Sequence, residues 1–195
     1  PELCLLQVSN GDTTAIIDPL AINNLGPFLD ILYDTSVTKV FHSAYQDLEI
    51  LFHIRGSVPA PLFDTQIAVP LLGYNEQIGY ANLVGDVLGV QLSKAHTRTD
   101  WKRRPLLEEQ LRYAADDVIY LAKLYPKLHK ALSEQGRLSW LEEDFAAMTS
   151  AEKYKPSLEN MWLKIRQANR LKGASLSALQ SIASWREETA RKNNQ

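Results

Sequence analysis

Apolar positions recur along this chain with periods that change from two to between three and four, and the changes mark its elements. Leu3 to Val8 is a β-type run, Asn10-Gly11-Asp12 is turn chemistry, and Ala15 to Asp18 returns as a second strand, so the chain is predicted to open with a hairpin. Pro19 stops that strand. Leu25, Leu29 and Leu32 with Phe28 predict an amphipathic helix over about residues 24–33. Val37 to Phe41 then predicts a short strand, and Ala44 to His53 a helix with Leu48, Leu51 and Phe52 turned inward. Further on, Asp64 suits an N-cap for Thr65-Gln66-Ile67-Ala68 and is read as structural rather than catalytic. Pro70 should distort or end that helix. Gly79 to Leu88 forms another helix with Leu83, Val84, Val87 and Leu88 on its apolar face, ended by Gly89.

The clearest periodicity runs from about Leu106 to Leu132. Leu107, Leu111, Ala114, Val118, Leu121, Tyr125, Leu128 and Leu132 follow steps of four and three, a stripe predicted to face the core. Tyr113 and Asp117 are one turn apart at the edge of that stripe. Asp116 follows Arg112 by four and reads as a solvated ion pair with it. Pro105 is read as the first helical position, aided by Glu108 and Glu109 in the first turn, and Pro126 predicts a kink near residues 122–126. Two strands in a hairpin followed by alternating helices and strands predict an α/β unit, a mixed sheet covered by helices.

After Gly136 to Leu141 comes a helical, acidic stretch. Thr149 to Pro156 reads as a linker, Leu158 to Ala168 as a helix, and Ser175 as the cap of a second helix begun by Leu176, Leu179 and Ile182. The domain reading is therefore residues 1–148, a linker over 149–157, and a helical piece over 158–195.

Composition changes this picture in three places. At 195 residues and 45% hydrophobic content the chain can bury one good core and carry a small second unit. Its single cysteine, Cys4, excludes an intramolecular disulfide, and no run approaches the roughly 20 apolar residues of a membrane span, so the expectation is a cytoplasmic protein with no membrane partner. The sequence begins at Pro1 in strand-like residues, which suggests a piece of a longer protein. Charge is uneven: 12 Lys and Arg against 19 Asp and Glu over residues 1–150, a net of −7, and 9 against 4 over 151–195, a net of +5. Within the acidic part, Lys94, Arg98, Lys102, Arg103 and Arg104 face only Asp100. Such a cluster can bind polyanions or stand as a solvated loop.

A carboxylate at a core edge can hold a divalent cation, and a phenol one turn away can orient a water or a phosphate oxygen. Metal-assisted phosphodiester hydrolysis needs carboxylates from several elements, and Asp47, early on the helix after the Val37 to Phe41 strand, is the second candidate. The strings HSAYQDLEIL, FDTQIA, RTDWKRRPL and RYAADDVIYL, in this order, resemble the ribonuclease D family of bacterial DEDD-type 3′→5′ exonucleases, in the subgroup that bears a tyrosine. The resemblance covers the chain to about residue 145.

It implies a ribonuclease H-like (DnaQ-like exonuclease) fold with a mixed sheet flanked by helices, five-stranded in the intact protein, followed by the start of a helical HRDC-type domain. It implies hydrolysis of the 3′-terminal phosphodiester of RNA to nucleoside 5′-monophosphates. The implied substrates are tRNA precursors, the cofactor two Mg²⁺ or Mn²⁺ ions in the intact protein, and the working state a monomer. Asp47, Tyr113 and Asp117 match the family's catalytic positions, Asp47 and Asp117 as metal ligands. Tyr113 would hydrogen-bond the attacking water, since an unperturbed phenol is a poor base at neutral pH. Arg98, Lys102, Arg103 and Arg104 are the candidates for phosphate contacts, with Trp101 stacking on a base or anchoring the loop.

The family's first motif, Asp-x-Glu on an opening strand, does not occur here, so this piece alone is expected to be inactive. Either an upstream segment supplies the motif or the fold is completed otherwise. Leu107 stands where family members commonly have a serine or threonine. A DNA exonuclease of the same chemistry and an inactive RNA-binding module are the alternative readings.

Overall fold

A computed structural model describes residues 3–93, 99–155, 161–163 and 165–192, with the side chains of 191 and 192 outside that description. The chain divides into two compact units, Leu3–Lys153 and a second built on Tyr154–Gln195.

In the first unit, β1 (Leu6–Ser9) and β2 (Thr14–Ile17) form the predicted antiparallel hairpin, with Leu6 opposite Ile17 and Ser9 opposite Thr14. Its turn closes because the Asn10 side-chain oxygen accepts from the amides of Asp12 and Thr13, and Gly11 takes φ +96°, where a side chain would be strained. Helix α1 (Gly26–Leu32) and strand β3 (Lys39–Phe41) follow as expected, each slightly shorter than predicted.

Helix α2 (Tyr45–Arg55) buries Leu48 and Leu51 and ends on Gly56 in the left-handed conformation. Strand β4 (Leu62–Asp64) was not expected from the sequence. It is only three residues long, preceded by Pro59 and Pro61, and pairs in parallel with β3, Val40 opposite Phe63. Helix α3 (Thr65–Ala68) stops where Pro70 requires, in a 3₁₀ turn over Val69–Leu72. Helix α4 (Tyr80–Leu88) ends on Gly89, again left-handed.

Helix α5 (Glu108–Glu134) organises the unit, with both strands of the hairpin, β3, α3 and α4 packed against it. It begins later than predicted, with Leu107 as N-cap. Pro105 lies outside it, and the Gln110 side chain accepts from the Leu107 amide at 2.7 Å, occupying one backbone donor at the start. The helix is continuous through Pro126.

The expected stripe is corrected at its first two members. Leu107 is 62% exposed and Leu111 is also exposed, whereas Leu124, off the stripe, is fully buried with Ala114, Leu128 and Leu132. The buried arc is rotated toward Leu124, seven residues after Asp117, and this moves the Tyr113–Asp117 line into the margin of the core. One core cluster joins Val69, Ile78, Leu83, Val84, Leu124 and Leu128. A second joins Phe63, Ala68, Leu132 and Leu141. Among the described residues the strands form two pairs, β1-β2 antiparallel and β3-β4 parallel. Helix α6 (Glu142–Thr149) carries the acidic stretch and closes the unit.

In the second unit, Tyr154, Ala168 and Ala183 are buried and a 3₁₀ turn spans Ala168–Arg170. The helix expected over 158–168 lies partly outside the described residues. Helix α7 (Gly173–Lys192) starts two residues before the expected cap, so Ser175 sits inside its first turn, and Ile182 is exposed where Ala183 is buried. No helix among the described residues is long and apolar enough to cross a membrane.

Candidate active site

Two local arrangements carry the chemistry. The first lies where β3 and β4 end. Asp64 is 1% exposed, and its carboxylate accepts from the amides of Gln66 at 2.8 Å, Ser43 at 3.0 Å and Ala44 at 2.7 Å. It therefore caps α3, as the sequence indicated, and also holds the turn that launches α2. Asp47 stands one turn into α2, where the helix N-terminus favours a negative charge. Desolvation by the surrounding protein, and secondly the charge of Asp64, nevertheless hold its carboxyl above the usual carboxylate range.

Beside them, His42 places Nδ1 2.9 Å from the Thr65 hydroxyl and Nε2 3.1 Å from the Ile78 carbonyl. Burial pushes its pKa down against the opposing pull of Asp64, so the ring is neutral at pH 7. Its ring centroid is 5.5 Å from that of Tyr80, the first residue of α4.

The second arrangement is a cleft of about 280 Å³ between α4 and α5, lined by residues that include Tyr80, Asn82, Ser93, Tyr113, Asp116 and Asp117. Tyr113 and Asp117 thus share one concavity, because four residues make just over one turn. Burial first, and the neighbouring Asp116 charge second, push the Asp117 carboxyl up to about 6. Burial and the Asp117 charge raise the Tyr113 phenol as well, which keeps it a hydrogen-bond donor at neutral pH. Tyr80 is raised by the same two causes and donates to the Asp116 carbonyl at 3.2 Å, tying α4 to α5 at the cleft floor.

Two sequence readings change here. Asp116 lines the cleft and acts on Asp117, while Arg112 pairs instead with Glu108 at 2.5 Å. The two partners lie on opposite sides of Arg112 at the same spacing, and the sequence alone does not choose between them. Arg104 is spent inside the protein. Its Nε and one Nη2 hydrogen bond both oxygens of Asp18, at 2.6 and 2.7 Å, and its other donors reach the carbonyls of Cys4, Trp101 and Arg103. All five guanidinium N–H groups are used, leaving none for a phosphate. Lys102 and Arg103 remain exposed on the same loop, and Arg98 lies outside the described residues.

Asp47 is not among the residues lining the cleft; the His42–Tyr80 contact links the end of β3 and β4 to a residue that does line it. Tyr80 and Asn82 were missed by sequence reading. No local signal marks them: they stand in the first turn of α4, and only the packing of α4 beside α5 brings them to the cleft.

The residues suit a divalent cation in part. Asp47 and Asp117 are carboxyls whose charged forms are disfavoured by burial and like charge, a situation that a cation relieves. Among the described residues no three Asp, Glu, His or Cys side chains converge on one point, so these two would contribute part of a ligand set.

Comparison with known proteins adds an independent line. The profile of a family described as 3′–5′ exonuclease matches residues 1–133. Ribonuclease D of Sphingobium indicum is 45% identical over 196 residues, covering all of this chain and 50% of that protein. Among solved structures, Escherichia coli RNase D, described as an exoribonuclease involved in structured RNA processing, superposes with a TM-score of 0.91 at 37% identity, over 99% of this chain and 52% of that one. Brucella melitensis NrnC with bound Mg²⁺ superposes with a TM-score of 0.68 at 32% identity, over 83% and 79% of the two chains. The chain spans about half the length of the curated relatives it matches.

Proposed function

This chain belongs to the 3′–5′ exonuclease family and has its ribonuclease H-like, DnaQ-type α/β fold, and from that premise we propose that it carries part of the active site of a metal-dependent 3′→5′ exoribonuclease. The observation that carries the reading is the pairing of Tyr113 with Asp117 in one cleft, the carboxyl held at about 6. A group with that pKa is mostly ionised at neutral pH and is ready to take a cation or accept a hydrogen bond.

Asp117 and Asp47 would hold the divalent metal, two Mg²⁺ or Mn²⁺ ions in the complete site. Such ions, when bound, polarise the phosphate and sharpen an attacking water. The Tyr113 phenol, protonated throughout the working range, donates a hydrogen bond that orients the water or a phosphate oxygen. Tyr80 fixes the backbone at Asp116 and thereby the start of the turn that bears Asp117. Water adds to phosphorus as the bond to the 3′-oxygen of the penultimate nucleotide breaks. The products are a nucleoside 5′-monophosphate and a shortened strand with a free 3′-hydroxyl.

In this reading the substrate is RNA, with tRNA precursors as the natural class, and the protein works as a cytoplasmic monomer. Lys102 and Arg103, with Arg98, contact phosphates, and the net +5 of residues 151–195 adds a basic grip. The test is degradation of matched RNA and DNA oligonucleotides by the full-length protein with Mg²⁺. Stepwise 3′ trimming of RNA to 5′-monophosphates supports the proposal, preferential trimming of DNA redirects it, and binding without hydrolysis removes it.

A further inference from the structure

The five hydrogen bonds of Arg104 have a geometric consequence for the candidate site. Arg104 sits at the end of the turn Asp100–Arg103, which is closed by the Lys102 amide on the Asp100 carboxylate at 3.0 Å and by the Arg103 amide on the Asp100 carbonyl at 3.3 Å. Its bidentate partner, Asp18, directly follows β2, and its Cys4 acceptor precedes β1. Both strands pack on α5, the helix that bears Tyr113. A further Arg104 bond fixes the Trp101 carbonyl at 2.8 Å, and the half-buried Trp101 ring lies 6.2 Å from the Tyr113 ring at an interplanar angle of 31°. The loop, the hairpin and the site helix are thereby referred to one fixed point.

We propose that Arg104 is a positioning residue, one that holds Trp101 against Tyr113 and so sets where the phenol stands in the cleft. The inference rests on the exonuclease reading for its functional consequence, and on the clamp geometry for its structural one. Arginine is required because only a planar fork serves two carboxylate oxygens and three carbonyls at once. A lysine ammonium has three donors and no fork. The pair also holds its charge: the Arg104 guanidinium lowers the Asp18 carboxyl, and Asp18 raises Arg104. Arg104 touches no substrate, so its effect passes entirely through Trp101 and Tyr113.

The test uses the full-length protein with Arg104→Lys, Tyr113→Phe and their combination, each assayed on a 3′-labelled RNA oligonucleotide with Mg²⁺. The expected result for Arg104→Lys is a fall in kcat of about 10²-fold, the scale of a misplacement near 1 Å, with KM nearly unchanged. The double variant should be no slower than Tyr113→Phe alone. Trp101→Leu, which leaves the clamp intact, should reproduce the kcat loss. Trp101 emission, read with every other tryptophan of the full-length protein replaced by Phe, should shift when Arg104→Lys is added.

Multiplicative losses in the double variant would overturn the proposal in favour of a scaffold role. A raised KM with intact kcat and a shallower salt dependence would overturn it in favour of a phosphate contact. If the unsubstituted protein trims no RNA, the exonuclease reading fails, and the emission alone decides the clamp: a shift supports it and an unchanged spectrum overturns it.

Discussion

At the scale of single residues, Asp117 is drawn two ways. Its burial and the Asp116 charge favour the protonated form, while its proposed work needs the carboxylate. Because its folded pKa, about 6, lies above the ordinary 3.8, the folded chain binds the extra proton between those values. Stability therefore falls as pH rises through that window and is not regained above it. Asp117→Asn removes the penalty: in chelator, its melting temperature should exceed that of the parent at pH 7.5 and match it below pH 4. A substitution that lowers Tm at pH 7.5 would contradict the assigned burial. In the full-length protein the same substitution should cut turnover about a thousand-fold or more, the scale of losing several kcal/mol of metal-linked stabilisation, while RNA binding stays within a few-fold. A steady-state assay with a parallel binding titration reads both. Normal turnover would remove Asp117 from the site.

At the scale of elements, α5 shows how a periodic pattern is read correctly in kind and wrongly in phase. Steps of four and three identified the helix, but the buried arc is the one that includes Leu124, because α4 and the Val69–Ile78 segment pack on that side. Leu124→Ala should cost about 2–5 kcal/mol, the range for an enclosed leucine. Leu107→Ala should change stability by less than about 0.5 kcal/mol, as an exposed site. Urea unfolding of the two variants separates these expectations, and a larger cost at Leu107 than at Leu124 would mean that the stripe predicted from sequence is the true core face. Strand β4 escaped the sequence reading for a different reason. Three residues after a proline, the last of them already a helix cap, carry no detectable alternation, and only the parallel partner β3 gives them an extended conformation.

At the scale of the whole molecule, charge is divided between the two units, acidic in residues 1–150 and basic in 151–195. If the basic unit grips RNA, Arg166→Gln, Arg170→Gln and Lys172→Gln together should weaken oligonucleotide binding uniformly across sequences and flatten its dependence on salt. Titrations at two ionic strengths provide the measurement, and an unchanged salt slope would assign that charge to solubility alone. Either outcome leaves the fold of the Leu3–Lys153 unit untouched, since Arg166, Arg170 and Lys172 all belong to the other unit.

What the sequence determined by itself is what depends on neighbours along the chain. The Asn10-Gly11 turn, the Asp64 cap, the helix end at Gly89, and the one-turn spacing of Tyr113 and Asp117 all follow from local backbone geometry. Tertiary structure alone decided the partners that are distant in sequence. Arg104 meets Asp18 across 86 positions, Tyr80 meets Asp116 across 36, and Asp64 reaches back 20 to the Ala44 amide. A guanidinium in a basic cluster looks the same in sequence whether it faces phosphate or carboxylate. Its role is set by which acceptors the packed elements bring within hydrogen-bond distance, and here those acceptors are five and all internal.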